Sequence, residues 1–209
     1  MSTGHAAVFR RAAVSSGILL SILAWLAGAR AEEQRLALEQ PLVLADADGK
    51  TVASDDFPGK WLLIYFGYIH CADQCPTALS AMVEALDEIG PAAQHIQTLF
   101  VTVDPERDRG PVLREFVAAF DKRIVGLTGS QEQLASAAKA LGVKYEKVVA
   151  GGGDYVIDHS ATLSVVGPDR REAVTFSMAE PYAIAAKLVA LLGRGGAPLG
   201  DVNNLRAYR

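Results

Sequence analysis

Tyr65-Phe66-Gly67-Tyr68-Ile69-His70-Cys71-Ala72-Asp73-Gln74-Cys75-Pro76-Thr77 carries the only two cysteines of this 209-residue chain. The stretch begins inside a continuous apolar run, Trp61-Leu62-Leu63-Ile64-Tyr65-Phe66, as expected of a strand buried on both faces. It ends at Pro76, which suits the start of a helix, where the missing N–H leaves no bond unmade. Leu79, Met82, Val83 and Leu86 then recur at helical spacing, predicting a helix from about Pro76 to Ile89. The two thiols therefore sit in a strand-to-helix turn. Such a pair either closes into a disulfide or holds a soft metal ion. A purely structural crosslink is the less attractive use, because closing so short a loop removes little entropy from the denatured chain. A helix N-terminus favours thiolate, which predicts a lowered pKa for at least one sulfur.

Working outward, 32–40 reads as a polar linker, and Leu42–Ala45 and Lys50–Ala53 flank a turn as a hairpin. Downstream, Gln97–Val103 is a second interior strand ending in Asp104-Pro105-Glu106-Arg107-Asp108. A helix over Pro111–Phe120 and a short strand at Val125–Thr128 follow. Ser130 caps a helix through Leu141, with Gln133 completing a capping box. Strands are expected at Val143–Val149, Ile157–Val166 and Ala173–Phe176, then a helix over Glu180–Leu192 and a flexible tail over 193–209. This order gives an α/β protein, a central mixed sheet flanked by helices. A dithiol at a strand–helix junction in such a unit reads as thioredoxin-like, here with an added N-terminal β-hairpin.

Residues 1–31 read as a signal peptide or an N-terminal membrane anchor. Arg10 and Arg11 precede an apolar run from Ala12 to Ala29, and Ala27-Gly28-Ala29 and Ala29-Arg30-Ala31 fit a cleavage site. Cleaved or retained, the rest of the chain is expected outside the cytoplasm, at the periplasmic face of the inner membrane, anchored or released. The formal charge is −4; removing Arg10, Arg11 and Arg30 from 20 basic residues leaves 17 against 24 acidic, or −7. A mildly acidic domain with scattered cations excludes a nucleic-acid partner.

A metal site needs more than two thiolates. Of the four histidines, His5 lies in the export segment, His95 is expected in a solvated turn, and His70 is expected to point away from its neighbour Cys71. His159 precedes an apolar strand. In a thioredoxin-like sheet that strand runs beside the one leading to the dithiol, which brings His159 toward the cysteine turn. Two thiolates and an imidazole match copper(I), and suit copper(II) with an added ligand. A closed zinc site wants four protein ligands, and no fourth cysteine or histidine stands out. From position alone His159 reads either as a ligand or as a structural residue.

Four blocks occur in order: Tyr65-Phe66-Gly67-Tyr68-x-His70-Cys71-x-Asp73-x-Cys75-Pro76, Val103–Asp108, Val125–Gly129 and Asp154-Tyr155-x-x-Asp158-His159-Ser160. Together they resemble the Sco/SenC copper-chaperone family over about residues 40–192. The resemblance implies a thioredoxin-like domain, taken as 41–192, that binds copper through Cys71, Cys75 and His159. It implies delivery of copper to the dinuclear copper A site of cytochrome c oxidase, or reduction of that site's cysteines. The implied partners are the copper-bearing oxidase subunit and another copper chaperone or a thiol reductant, with membrane contact through an uncleaved N-terminus. Asp158 is expected to orient His159 as a hydrogen-bond acceptor. The chain departs from the family pattern at Ala72, Ser164 and Arg170-Arg171, none of them a proposed ligand. The cis-proline loop of ordinary thioredoxins has no counterpart beside His159, which argues against a general disulfide reductase. A thiol peroxidase would need a dedicated polar pocket, for which the sequence offers no motif.

Overall fold

Residues 33–151 and 154–196 are described in a computed structural model. Residues 1–31, read above as a signal peptide or membrane anchor, and the tail beyond 196 lie outside the described residues. Among the described residues no helix is long and apolar enough to cross a membrane.

The apolar run forms β4 (Trp61–Gly67), buried along nearly its whole length. It pairs in parallel with β5 (Ile96–Thr102), which pairs in parallel with β6 (Ile124–Thr128). On its other side β4 pairs antiparallel with β9 (Thr162–Val166), followed by β10 (Glu172–Ser177). The predicted hairpin, β2 (Val43–Asp46) and β3 (Thr51–Ala53), joins the far edge through β6. With β1 (Glu33–Ala37) on the outer side of β10, the eight-stranded order is β1-β10-β9-β4-β5-β6-β2-β3. Here β1 falls inside the segment read as a linker: it pairs antiparallel with β10. Its alternation is too polar to reveal an edge strand from sequence, since an edge strand needs only one apolar face. Among the described residues four α-helices complete the fold: α1 (Gln74–Glu88), α2 (Pro111–Phe120), α3 (Gln131–Ala140) and α4 (Pro181–Arg194). Helix α1 packs on α4, α2 on β6 and α3 on β2. The mixed sheet flanked by helices is the thioredoxin-like architecture the order of elements predicts.

The long strand expected over 157–166 is instead two. Asp154–His159 forms β8, which pairs with β7 (Tyr145–Gly151) as a separate two-stranded ribbon; the chain then turns at 160–161 and enters β9. Two departures from the family pattern also find their reasons. Ser164 is buried in β9, where its hydroxyl lies 2.8 Å from that of Thr175, which in turn donates to the Leu141 carbonyl at 2.9 Å. Arg170 stands at φ 59°, a left-handed turn conformation that glycine adopts more easily. Its guanidinium offsets that strain by donating to four carbonyls, those of Ser54, Phe57, Lys60 and Gly167, at 2.5–2.9 Å.

Candidate metal centre

The site forms where β4 ends. Helix α1 starts at Gln74, two residues earlier than the sequence predicts, so Cys75 and Pro76 both lie in its first turn. Proline is tolerated there because those N–H groups have no intrahelical acceptor. The cap residue Asp73 makes no side-chain capping bond. Instead the Cys71 sulfur accepts the Cys75 N–H at 3.3 Å, so the first cysteine is held by the start of the helix bearing the second. The two sulfurs are not bonded to each other; Cys71 is partly exposed and Cys75 is buried.

Strand register delivers the third group. Leu163 of β9 opposes Tyr65 of β4. Continuing that antiparallel register puts residue 161 level with Gly67 and residue 159 just past the strand end, beside the cysteine turn. The His159 Nε2 lies 3.5 Å from the Cys75 sulfur. The two sulfurs and an imidazole nitrogen all fall within 4.8 Å of one another, the one such group of potential metal-binding side chains among the described residues. Ligand bonds of about 2.0–2.3 Å in a trigonal set put the donors about 3.5–4.0 Å apart, so the three atoms need to draw in by about an ångström or less to enclose one ion.

The ring of His159 is held on several sides. Tyr65 and Tyr68 meet it edge-on, with ring centres 5.9 and 6.0 Å away. Its Nδ1 lies 3.2 Å from the Ser160 carbonyl oxygen. That carbonyl takes the accepting role expected of Asp158, whose side chain is exposed and influences the ring through its charge. A donor Nδ1–H leaves Nε2 with its lone pair toward the sulfurs. Burial, the dominant influence, lowers the His159 pKa and favours the neutral, ligating imidazole. Burial also pushes the Cys75 thiol up to about 12, opposed by a backbone hydrogen bond from Tyr68. The expectation of a lowered thiol pKa therefore fails for Cys75: desolvation outweighs the helix N-terminus. Deprotonation there has to be driven by a bound cation or an exchange partner.

Gly67 is required by this packing. A Cβ at that position would stand 3.0 Å from the Cys75 sulfur and equally close to the rings of Tyr65 and Phe100.

The segment 104–108 secures both halves of the site. Asp108, fully buried, accepts the Ile69 N–H and the Thr102 hydroxyl, each at 2.8 Å, and so fixes the loop entering Cys71. His70 faces the same carboxylate at 3.8 Å and, as expected, is not among the converging donors. His95 is half-buried, not solvated as its polar turn suggests, and its Nε2 is enclosed. Asp104, also buried, accepts the Tyr155 hydroxyl at 2.8 Å and forms an ion pair with Arg107. Arg107 and Lys147 lie over the Tyr155 ring at 3.8 and 3.6 Å, pinning the ribbon that carries His159. Gly67, Tyr65, Asp108 and Tyr155 were not separable by sequence reasoning. They sit inside the quoted motif blocks, but their roles depend on contacts across tens of residues.

A family model described as SCO1/SenC matches residues 30–193. The chain belongs to the SCO1/SenC family. It is 38% identical over 165 residues to the human protein SCO2 homolog, mitochondrial, covering 70% of this chain and 60% of that protein. With the Arabidopsis thaliana protein SCO1 homolog 1, mitochondrial, identity is 36% over 136 residues, 65% of this chain and 41% of that one. The SCO1/SenC chain thus spans about half the length of these curated relatives. Among solved structures it resembles Bradyrhizobium japonicum ScoI with copper bound, at 35% identity and a TM-score of 0.66 over 75% of this chain and 100% of that one. Arabidopsis thaliana ScoI with copper bound matches at 31% identity and a TM-score of 0.70, over 76% and 99% of the respective chains.

Proposed function

We propose that this protein carries copper on Cys71, Cys75 and His159 and delivers it to the dinuclear copper A site of cytochrome c oxidase. One observation carries the reading: two sulfurs and an imidazole nitrogen converge within 4.8 Å at the end of β4. This donor set is soft enough for copper(I), and with one added ligand it serves copper(II). The copper-bound ScoI relatives support the same cargo. Here copper is what the protein hands on; its partners are the copper-bearing oxidase subunit and an upstream copper chaperone or thiol reductant. The work is done outside the cytoplasm, with residues 1–31 as export signal or anchor. The test is the copper content of the reduced domain. One ion per chain is expected, His159→Ala weakening copper(II) binding while preserving the fold. Stoichiometric copper on a Cys71→Ser/Cys75→Ser double variant overturns the assignment.

A second reading rests on the same two adjacent, unbonded cysteines. Cys71 and Cys75 would pass two electrons and two protons to a disulfide in the oxidase copper site, ending as a disulfide themselves. Full complementation of an assembly defect by His159→Ala, with failure of either cysteine variant, selects this reading over copper delivery.

A further inference from the structure

Tyr65 is 1% exposed and lies within the apolar run of β4, flanked by Ile64 and Phe66. A phenylalanine would fill that place without burying a hydroxyl. A buried hydroxyl is costly unless it finds a partner. Among the described residues its hydrogen-bond partner is the Cys75 sulfur, 3.8 Å away, a separation suited to the large sulfur atom. The ring is fixed from two sides, by Phe100 at 6.3 Å between centres and by the edge contact with His159. The hydroxyl is therefore aimed at one ligand atom while its ring packs against another.

We propose that the Tyr65 hydroxyl donates a hydrogen bond to the Cys75 sulfur and thereby sets the preference of the site for copper(I) over copper(II). The inference rests on the copper reading and adds a positioning and tuning residue to it. A donor to a ligating sulfur withdraws electron density from it. The bond is stronger when the sulfur is more electron-rich, as it is with copper(I) bound. Hydrogen bonding around a cysteine sulfur is a recognised lever on copper potentials. The same reasoning covers the metal-free pair: reduced sulfur accepts the bond better than disulfide sulfur, so the hydroxyl favours the dithiol.

The test compares the wild-type protein with Tyr65→Phe, which removes only the hydroxyl. Copper(I) and copper(II) affinities, the thiolate-to-copper(II) absorption band, and the dithiol–disulfide equilibrium against glutathione are measured for both. The variant is expected to raise the copper(II)-to-copper(I) affinity ratio about tenfold, equivalent to about 59 mV for a one-electron couple. Its absorption band moves to longer wavelength, and its glutathione equilibrium shifts about threefold toward disulfide. Site-specific 3-fluorotyrosine at position 65, a stronger donor, moves the band the opposite way and serves if the phenylalanine variant misfolds. An unchanged affinity ratio and band in a variant that still holds one copper overturns the proposal. If the wild type binds no copper, the copper reading fails by itself. The glutathione equilibrium then decides on Tyr65, with no shift counting against it.

Discussion

Replacing Gly67 by alanine places a methyl group 3.0 Å from each of three buried atoms, one of them the Cys75 sulfur. Comfortable carbon contacts run about 3.5–4.0 Å, so each neighbour has to retreat by roughly half an ångström or more. Overpacking of this kind costs about 1–3 kcal/mol. Removing a glycine from the unfolded chain returns about 0.4–1 kcal/mol, leaving a net loss of about 1–2 kcal/mol. In urea, at a slope of about 2 kcal/mol/M, the midpoint falls by roughly 0.5–1 M. The same methyl pushes the Cys75 sulfur out of line with His159, so copper(II) affinity is expected to drop about tenfold, or about 1.4 kcal/mol. Gly126→Ala separates the local effect from a global one. Its Cβ would meet Leu113 Cγ at 2.9 Å beneath α2, on β6, two strands over from the one that leads to the dithiol. It should lose comparable stability and keep its copper affinity. A Gly67→Ala protein whose midpoint lies within about 0.2 M of wild type, with unchanged copper affinity, refutes the packing argument.

Tyr155→Phe strips a donor from buried Asp104 and should cost about 1–2 kcal/mol; faster amide exchange is expected first in β7 and β8, with copper(II) affinity reduced severalfold. Arg170→Gly relieves the left-handed turn but takes the guanidinium from four carbonyls, of which those of Ser54, Phe57 and Gly167 keep a backbone N–H donor. A net loss of about 2 kcal/mol, or roughly 5 °C in Tm, is expected by calorimetry. Because the folded pKa of His159 lies below its unfolded value, its contribution to stability is complete above about pH 6.5 and is lost as pH falls through the folded pKa. Urea midpoints of the metal-free protein should therefore decline on acidification less steeply in His159→Ala than in wild type.

Local signals carried most of the fold. The apolar run at 61–66, the Ser130–Gln133 capping box and the Pro-initiated helices each announce an element through its own residues. Helix α1 was legible as an element but not in its start, because Pro76 pointed to position N1 when it occupies the third helical residue. Strand β1 was missed because it contributes little apolar surface and owes its place to β10, more than 130 residues away. The split of 154–166 into β8 and β9 was likewise invisible: Ser160 and Ala161 make a weak break in an otherwise strand-like run. At the site, residue type and spacing singled out Cys71 and Cys75, whereas His159 stood open between ligand and structural residue until the resemblance to the family pointed to it. The acceptor at Nδ1 proved to be a carbonyl and not Asp158, since backbone groups carry no sequence signature. The high thiol pKa of Cys75 also escaped, because it depends on how deeply α1 seats against the sheet.

The five residues 104–108 grip the site twice, through Asp108 to the cysteine loop and through Asp104 to the histidine ribbon. The two jaws of the centre thus share one mooring. Between those anchors the chain comes to the surface, where Glu106 is exposed. There Glu106 accepts a hydrogen bond from Lys147 of the ribbon at 3.0 Å, so a shift of this segment moves both jaws together. The cysteine turn and the histidine ribbon are therefore tied through one five-residue stretch and not only through the sheet.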